Sequence, residues 1–152
     1  MDWNDLTLSH LEKGEIKVIG QLSTASNASL YCEISYEDNT LNAIYKPIAG
    51  ERPLWDFPDG NLAKREVATY LTSKALNLNS VPPTILRSGP YGEGSVQLWI
   101  DDTDEITDEF TKRTPELRKI ALLDAVINNT DRKISHLLFK NERVYGCDHG
   151  VT

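Results

Sequence analysis

Residues 15–48 read EIKVIGQLSTASNASLYCEISYEDNTLNAIYKPI. Three runs within them, 15–22, 29–36 and 41–48, are rich in β-branched and aromatic residues and interleave apolar with polar positions. A small polar run, STASNA, separates the first two, and EDNT at 37–40 is a turn signal before the third. This spacing predicts strands joined by reversals. The first fifty residues are therefore expected to form an antiparallel meander of three strands.

Beyond the meander, AGERPLWDFPDG at 49–60 reads as a loop, with Trp55 and Phe57 expected to pin the helix after it or, as the alternative, to shape the mouth of a cleft. Asn61 is placed to cap that helix, over 61–76, whose apolar side is formed by Leu62, Val67, Tyr70, Leu71 and Leu78. VPPTILRSGPYGEG, 81–94, is punctuated by proline and glycine and holds at most one short strand; SVQLWI, 95–100, reads as a buried one. Thr114-Pro115 is an N-cap followed by a proline at the first helical position. The helix interior, IALLDAVI, is apolar nearly all round, so burial on most sides is expected. Two short strands, HLLF and RVYGC, with the turn KNE between them, complete the pattern. A mostly antiparallel sheet with one helix, then a mostly helical part, is an α+β arrangement. The acidic stretch 101–114 marks the expected boundary.

The 152 residues suit one domain with a real core. Acidic residues outnumber basic ones by 23 to 16, for a net charge of −7, so nucleic acid and anionic membrane surfaces are disfavoured as partners. No apolar run is long enough to span a membrane, and the acidic start lacks a secretory pattern, so a cytoplasmic location is expected. Cys32 and Cys147 make no CxxC pair and sit in apolar contexts, as buried thiols do.

The residues able to carry chemistry fall in four places. Lys46 ends the third strand, either as an edge lysine with its head in water or as a functional amine. Glu66 stands four residues from both Leu62 and Tyr70, on the flank of the apolar stripe. There it either pairs with Lys46 or is solvated beside Lys64 and Arg65. Asp131, His136 and Asp148 should converge where the final hairpin opens, with His149 adjacent, suiting a divalent cation or a hydrogen-bonded hairpin end. Ser23, Thr24, Ser26 and Asn27 form a small polar loop that can bring backbone N–H groups to a phosphate.

Taken in order, these features resemble the protein-kinase-like fold: a phosphate loop, a strand lysine, a helix glutamate, then NNTDRKISH and the triplet Asp148-His149-Gly150. NNTDRK is more similar to phosphatidylinositol kinases and HipA-type bacterial kinases than to H-R-D protein kinases. The runs GEIKVIG, YKPIAGERPLWDFPDG and NNTDRKISH resemble an actinobacterial family related to the phosphatidylinositol 3- and 4-kinase-like proteins, over roughly residues 12–152.

The resemblance implies an N-lobe over 1–100, an acidic linker or hinge over 101–114, and a partial C-lobe over 115–152. It implies ATP as the nucleotide, with Mg or Mn. Lys46, positioned by Glu66, would hold the α- and β-phosphates under the STASNA loop, and backbone around Leu98, Trp99 and Ile100 would meet the adenine. Asp131 would take the acceptor's proton, and Asp148 the metal. His136 stands where kinases carry a metal-binding asparagine, which suits manganese or zinc better than magnesium; it would ligate the metal or fix Asp131. The acceptor would be an unknown protein or small molecule. Kinase-like folds continue past this triplet, so an oligomer or a partner chain completing the C-lobe is expected to cover IALLDAVI. Two alternatives stand beside an active phosphotransferase. One is a degenerate kinase-fold module, or half of a split kinase, binding nucleotide or a partner protein. The other is a metal-dependent hydrolase built on Asp131, His136, Asp148 and His149.

Overall fold

The computed structural model describes residues 3–23, 27–52, 61–105, 107–108 and 114–152. Thr24, Ser26, Trp55 and Phe57 lie outside the described residues. In chain order the elements are α1 (Asp5–Lys13), β1 (Glu15–Gln21), β2 (Leu30–Tyr36), β3 (Asn39–Pro47), α2 (Leu62–Ala75), β4 (Thr84–Gly89), β5 (Gly92–Leu98), α3 (Thr114–Ile127), β6 (Leu137–Lys140) and β7 (Arg143–Gly146). The expected α+β class is what the structure has. Its main sheet is antiparallel throughout, in the order β1-β2-β3-β5-β4, and β6-β7 form a separate hairpin.

The meander arises as the sequence predicts, with Leu30 opposite Tyr45 and Tyr36 opposite Asn39 across the two-residue turn Glu37-Asp38. Successive side chains of a strand point to opposite faces. Ala43 and Tyr45 of β3 therefore enter a core with Leu11, Cys32, Ile34 and Val96, while Lys46 reaches the α2 side. Tyr45 also locks the β4–β5 hairpin: its hydroxyl donates to the Gly92 carbonyl at 2.6 Å and accepts from Tyr91 N–H at 3.2 Å. A side chain at Gly89 would begin 2.8 Å from the Tyr45 ring, so glycine is required there.

Four expectations are corrected. The first is α1, an unforeseen helix capped by Asn4, whose Oδ1 accepts from Thr7 N–H at 3.1 Å. It docks on the sheet through buried Leu11, through His10 Nε2 at 2.7 Å from the Ile34 carbonyl, and through Arg87, which donates to the Leu11 and Gly14 carbonyls. Second, the 81–94 segment supplies β4 and the first residues of β5, so two strands cross it, because Pro90-Tyr91 turns the chain back on itself. Third, Leu71 is 54% exposed; the buried side of α2 instead carries Leu62, Ala63, Glu66, Thr69, Tyr70 and Ser73. The polar residues of that face have partners: Ser73 Oγ accepts from Ser80 N–H at 3.0 Å, and the Thr69 hydroxyl lies 3.5 Å from that of Thr152.

The fourth correction concerns α3. Leu123 packs with Tyr70, Leu78 and Val81, and Ile120 packs with Phe139 and Val144 of the hairpin. Leu122 and Val126, however, are 51% and 54% exposed. Packing from α2, Leu78, Val81 and the hairpin covers one side of the helix, so its remaining apolar face stays outward. The helix thereby bridges α2 to the β6–β7 hairpin and sets where the hairpin's open end lies. Among the described residues, no helix is long and apolar enough to cross a membrane.

Candidate functional site

Three elements meet at a cavity of about 310 Å³. From β3 comes Lys46, from α2 Glu66, and from the segment after β7 Asp148. Glu66 is 3% exposed because it shares a helix face with Leu62 and Tyr70. A carboxylate buried there requires a cation and hydrogen bonds. Lys46 Nζ supplies the cation, 2.7 Å from Glu66 Oε1, and His149 N–H donates to Oε2 at 3.1 Å. The same ammonium lies 3.1 Å from Asp148 Oδ1, and His136 Nε2 lies 3.2 Å from Asp148 Oδ2.

The charges tune one another. Burial works against the Lys46 ammonium, but Glu66 and then Asp148 outweigh it and hold Lys46 above the ordinary lysine range. Burial would raise the Asp148 carboxyl, yet Lys46, with help from His136, holds it below the usual value. Asp148 therefore stands ionised beside a fixed cation. Its backbone is left-handed, with φ of 61°, a conformation that aspartate tolerates better than most residues and that turns its carboxylate back toward the cavity lined by Lys46 and His136.

Asp131 also lines the cavity. Its N–H donates to Asn129 Oδ1 at 3.0 Å, and its carboxylate lies 3.4 Å from Lys133 Nζ, half exposed and open to a ligand. Of the polar loop, Asn27 lines the cavity and accepts from Arg52 N–H at 2.8 Å, whereas Ser23 is exposed and does not border it. Leu98, Trp99 and Ile100 do not line it either. Leu98 packs in the α1-side core, and the Trp99 ring stands edge-on to Tyr31 at 5.3 Å.

The sequence left several contributors unmarked. Glu51, Lys133 and Ser135 line the cavity, and Glu51 Oε1 accepts from Ala63 N–H at 2.9 Å in the first turn of α2. His149, part of the alternative hydrolase reading, is fully buried, with its N–H on Glu66. Burial, reinforced by Arg132, lowers it to about 4, so the ring is neutral at pH 7. Burial likewise pushes Cys147 up to about 11, an inert thiol.

The donor set bears on a divalent cation. Asp148 and His136 offer an oxygen and a nitrogen across 3.2 Å, and the His136 Nδ1 is buried with no hydrogen-bond partner among the described residues. No three His, Cys, Asp or Glu among the described residues form a cluster able to hold a metal ion. Among the described residues the site therefore offers a cation two protein ligands at this point, Asp148 and His136.

Two known proteins are similar to this chain in sequence. The chain is 39% identical to Protein Rv2133c of Mycobacterium tuberculosis, across 93% of this chain and 64% of that protein. It is 26% identical to phosphatidylinositol 4-kinase gamma 4 of rice, across 95% of this chain and 32% of the rice protein. It thus spans less than two thirds of either relative. No family model matches the chain.

Proposed function

We propose that this chain forms the nucleotide-binding part of a kinase-like phosphotransferase, moving the γ-phosphoryl group of metal-bound ATP to a hydroxyl acceptor. The observation that carries the reading is the convergence of Lys46, Glu66 and Asp148, from a strand, a helix and a post-hairpin segment, on one cavity. A part-buried ammonium held above its ordinary range by two carboxylates is a permanent point charge, suited to the α- and β-phosphates. The name of the rice relative is consistent with this at a distance. Residues 1–100 then act as the N-lobe, 101–114 as the linker and 115–152 as the start of a C-lobe.

In the reaction, the acceptor oxygen bonds to the γ-phosphorus as the bond from that phosphorus to the β–γ bridging oxygen breaks. Asp131, half exposed at the cavity, takes the acceptor proton, and ADP leaves. Lys46 holds the phosphates in place, and Glu66 holds Lys46. Asp148 and His136 would hold a Mg or Mn ion, which neutralises charge on the phosphates when bound. Most of the rate then comes from positioning. A protein or small-molecule hydroxyl suits an acidic chain of net charge −7 better than a lipid at an anionic surface.

A second reading, a module that binds nucleotide without transferring it, draws on one feature. Lys46 already lies 3.1 Å from Asp148 Oδ1, so part of that carboxylate's charge is balanced within the protein before any cation binds. Calorimetric titration with ATP, under magnesium, manganese or no metal, tests both readings. Metal-dependent binding lost in Asp148→Ala, with slow ATP hydrolysis lost in Asp131→Ala, supports phosphotransfer. Binding without turnover supports the second reading. If Lys46→Ala binds ATP as well as the wild type, both are wrong.

A further inference from the structure

The proposed chemistry needs Asp131 and Asp148 at a fixed separation, yet they lie on different segments with the β6–β7 hairpin between them. Arg132 spans that gap. Its Nε and Nη2 donate to the two carboxylate oxygens of Asp124 on α3, at 2.9 and 2.6 Å, a bidentate pair with both side chains largely buried. From there Nη1 donates to the Cys147 carbonyl at 3.4 Å, and Nη2 lies 2.8 Å from His149 Nε2. A guanidinium has no acceptor, so His149 Nε2 must accept and the ring proton sits on Nδ1. Cys147 and His149 are the residues on either side of Asp148.

Asp124 also fixes the other end. Asn129 Nδ2 donates to Asp124 Oδ1 at 3.1 Å, while Asn129 Oδ1 accepts from Asp131 N–H at 3.0 Å. One carboxylate on α3 therefore anchors Asp131 through Asn129 and the flanks of Asp148 through Arg132. None of Asp124, Asn129, Arg132 or His149 borders the cavity. Gly146 supplies an independent sign that this junction is tight. A Cβ there would lie 3.0 and 3.1 Å from the Arg132 Nη atoms and 3.1 Å from His149 Nε2.

We propose that Arg132 is a positioning residue of this site: braced by Asp124, it grips both neighbours of Asp148 and so sets where that carboxylate stands relative to Asp131. The role rests on the phosphotransfer reading, and it acts through other residues, without contact to the nucleotide. Lysine at this position keeps the charge but lacks the planar fork, so it cannot hold a carboxylate, a carbonyl and an imidazole together.

The test compares wild type, Arg132→Lys and Gly146→Ala by amide hydrogen exchange and by titration with ATP, with and without manganese. Gly146→Ala removes no charge and crowds the junction from another side. In both variants, amides 147–150 should exchange faster while those of Ala43–Tyr45 stay protected, a selective opening rather than global destabilisation. The manganese-dependent gain in ATP affinity should fall about tenfold to a hundredfold, the range seen when groups behind metal ligands are lost, while metal-free affinity through Lys46 holds. The proposal is overturned if exchange at 147–150 is unchanged in Arg132→Lys, or if metal-free and metal-dependent affinities fall together. Wild-type protein that binds no ATP under any metal overturns the phosphotransfer reading and this role with it. Wild-type binding with unaffected variants overturns the role alone.

Discussion

Replacing Glu66 tests the centre of the structure most directly. Its side chain is 4% exposed, against 24% for Lys46, and its two oxygens serve different partners: Oε1 faces the Lys46 ammonium and Oε2 the His149 N–H. In Glu66→Ala the ammonium keeps, among the described residues, only Asp148, at 3.1 Å and itself exposed, while a buried N–H loses its acceptor. Breaking a buried ion pair by removing one partner costs about 3–5 kcal/mol. The surviving Asp148 contact argues for the lower end, and the orphaned N–H adds about 1 kcal/mol or more. A loss of about 4 kcal/mol is therefore expected, or roughly 8–16 °C in melting temperature for a chain of this size. Glu66→Gln keeps the shape and one acceptor, so it should lose about half as much. Urea denaturation measures both, provided the slope is unchanged. A loss under about 1 kcal/mol in Glu66→Ala would refute the reasoning, since a buried carboxylate without a committed partner costs little to remove.

Acid should expose His149. Its folded-state value, near 4, lies below the ordinary 6.5, so between those values the unfolded chain binds the extra proton and stability falls as pH drops. That loss is on the order of 3 kcal/mol across the window, and urea midpoints for His149→Gln should be flatter there than for wild type. On α3, Leu123→Ala, fully buried between helices, should cost about 2–5 kcal/mol, while Leu122→Ala, half exposed one residue away, should cost under about 0.5 kcal/mol. Equal losses in chemical denaturation would mean the helix is buried all round. Cys32 and Cys147 are both pushed up to about 11 by burial, so at pH 8 a thiol reagent should label the native protein slowly and both sites promptly in denaturant. Rapid native labelling would contradict the packing.

Local patterns carried the meander, α2 and the final hairpin, because alternation, the Asn61 cap and the turn residues act over a few neighbours. The Lys46–Glu66 pairing was readable for a related reason: a carboxylate on an apolar helix flank needs a cation, and the preceding strand ended in one. The rest depends on distance in the chain. The helix α1 gains its reason to exist from Leu11 docking on a sheet not yet made, and nine residues with Leu6 and Leu8 only partly engaged give little periodic signal. Leu71 and Leu122 were misjudged because composition tells how apolar a helix is, not how many neighbours it will meet. Arg132, Asp124 and His149 look in sequence like ordinary surface charge and a spare imidazole; their contact requires the hairpin to return first.

Tyr45 and Lys46 are neighbours in the chain but occupy opposite faces of one sheet, the first in a core sealed by α1, the second in the cleft. None of Leu11, Cys32, Ile34, Ala43 or Val96, which share the Tyr45 side, lines the cavity. The sheet thus works as a partition. Redesign on the α1 side, for instance to raise thermal tolerance, can be pursued with the chemical side held constant, and mutational drift can accumulate on either side without being read by the other.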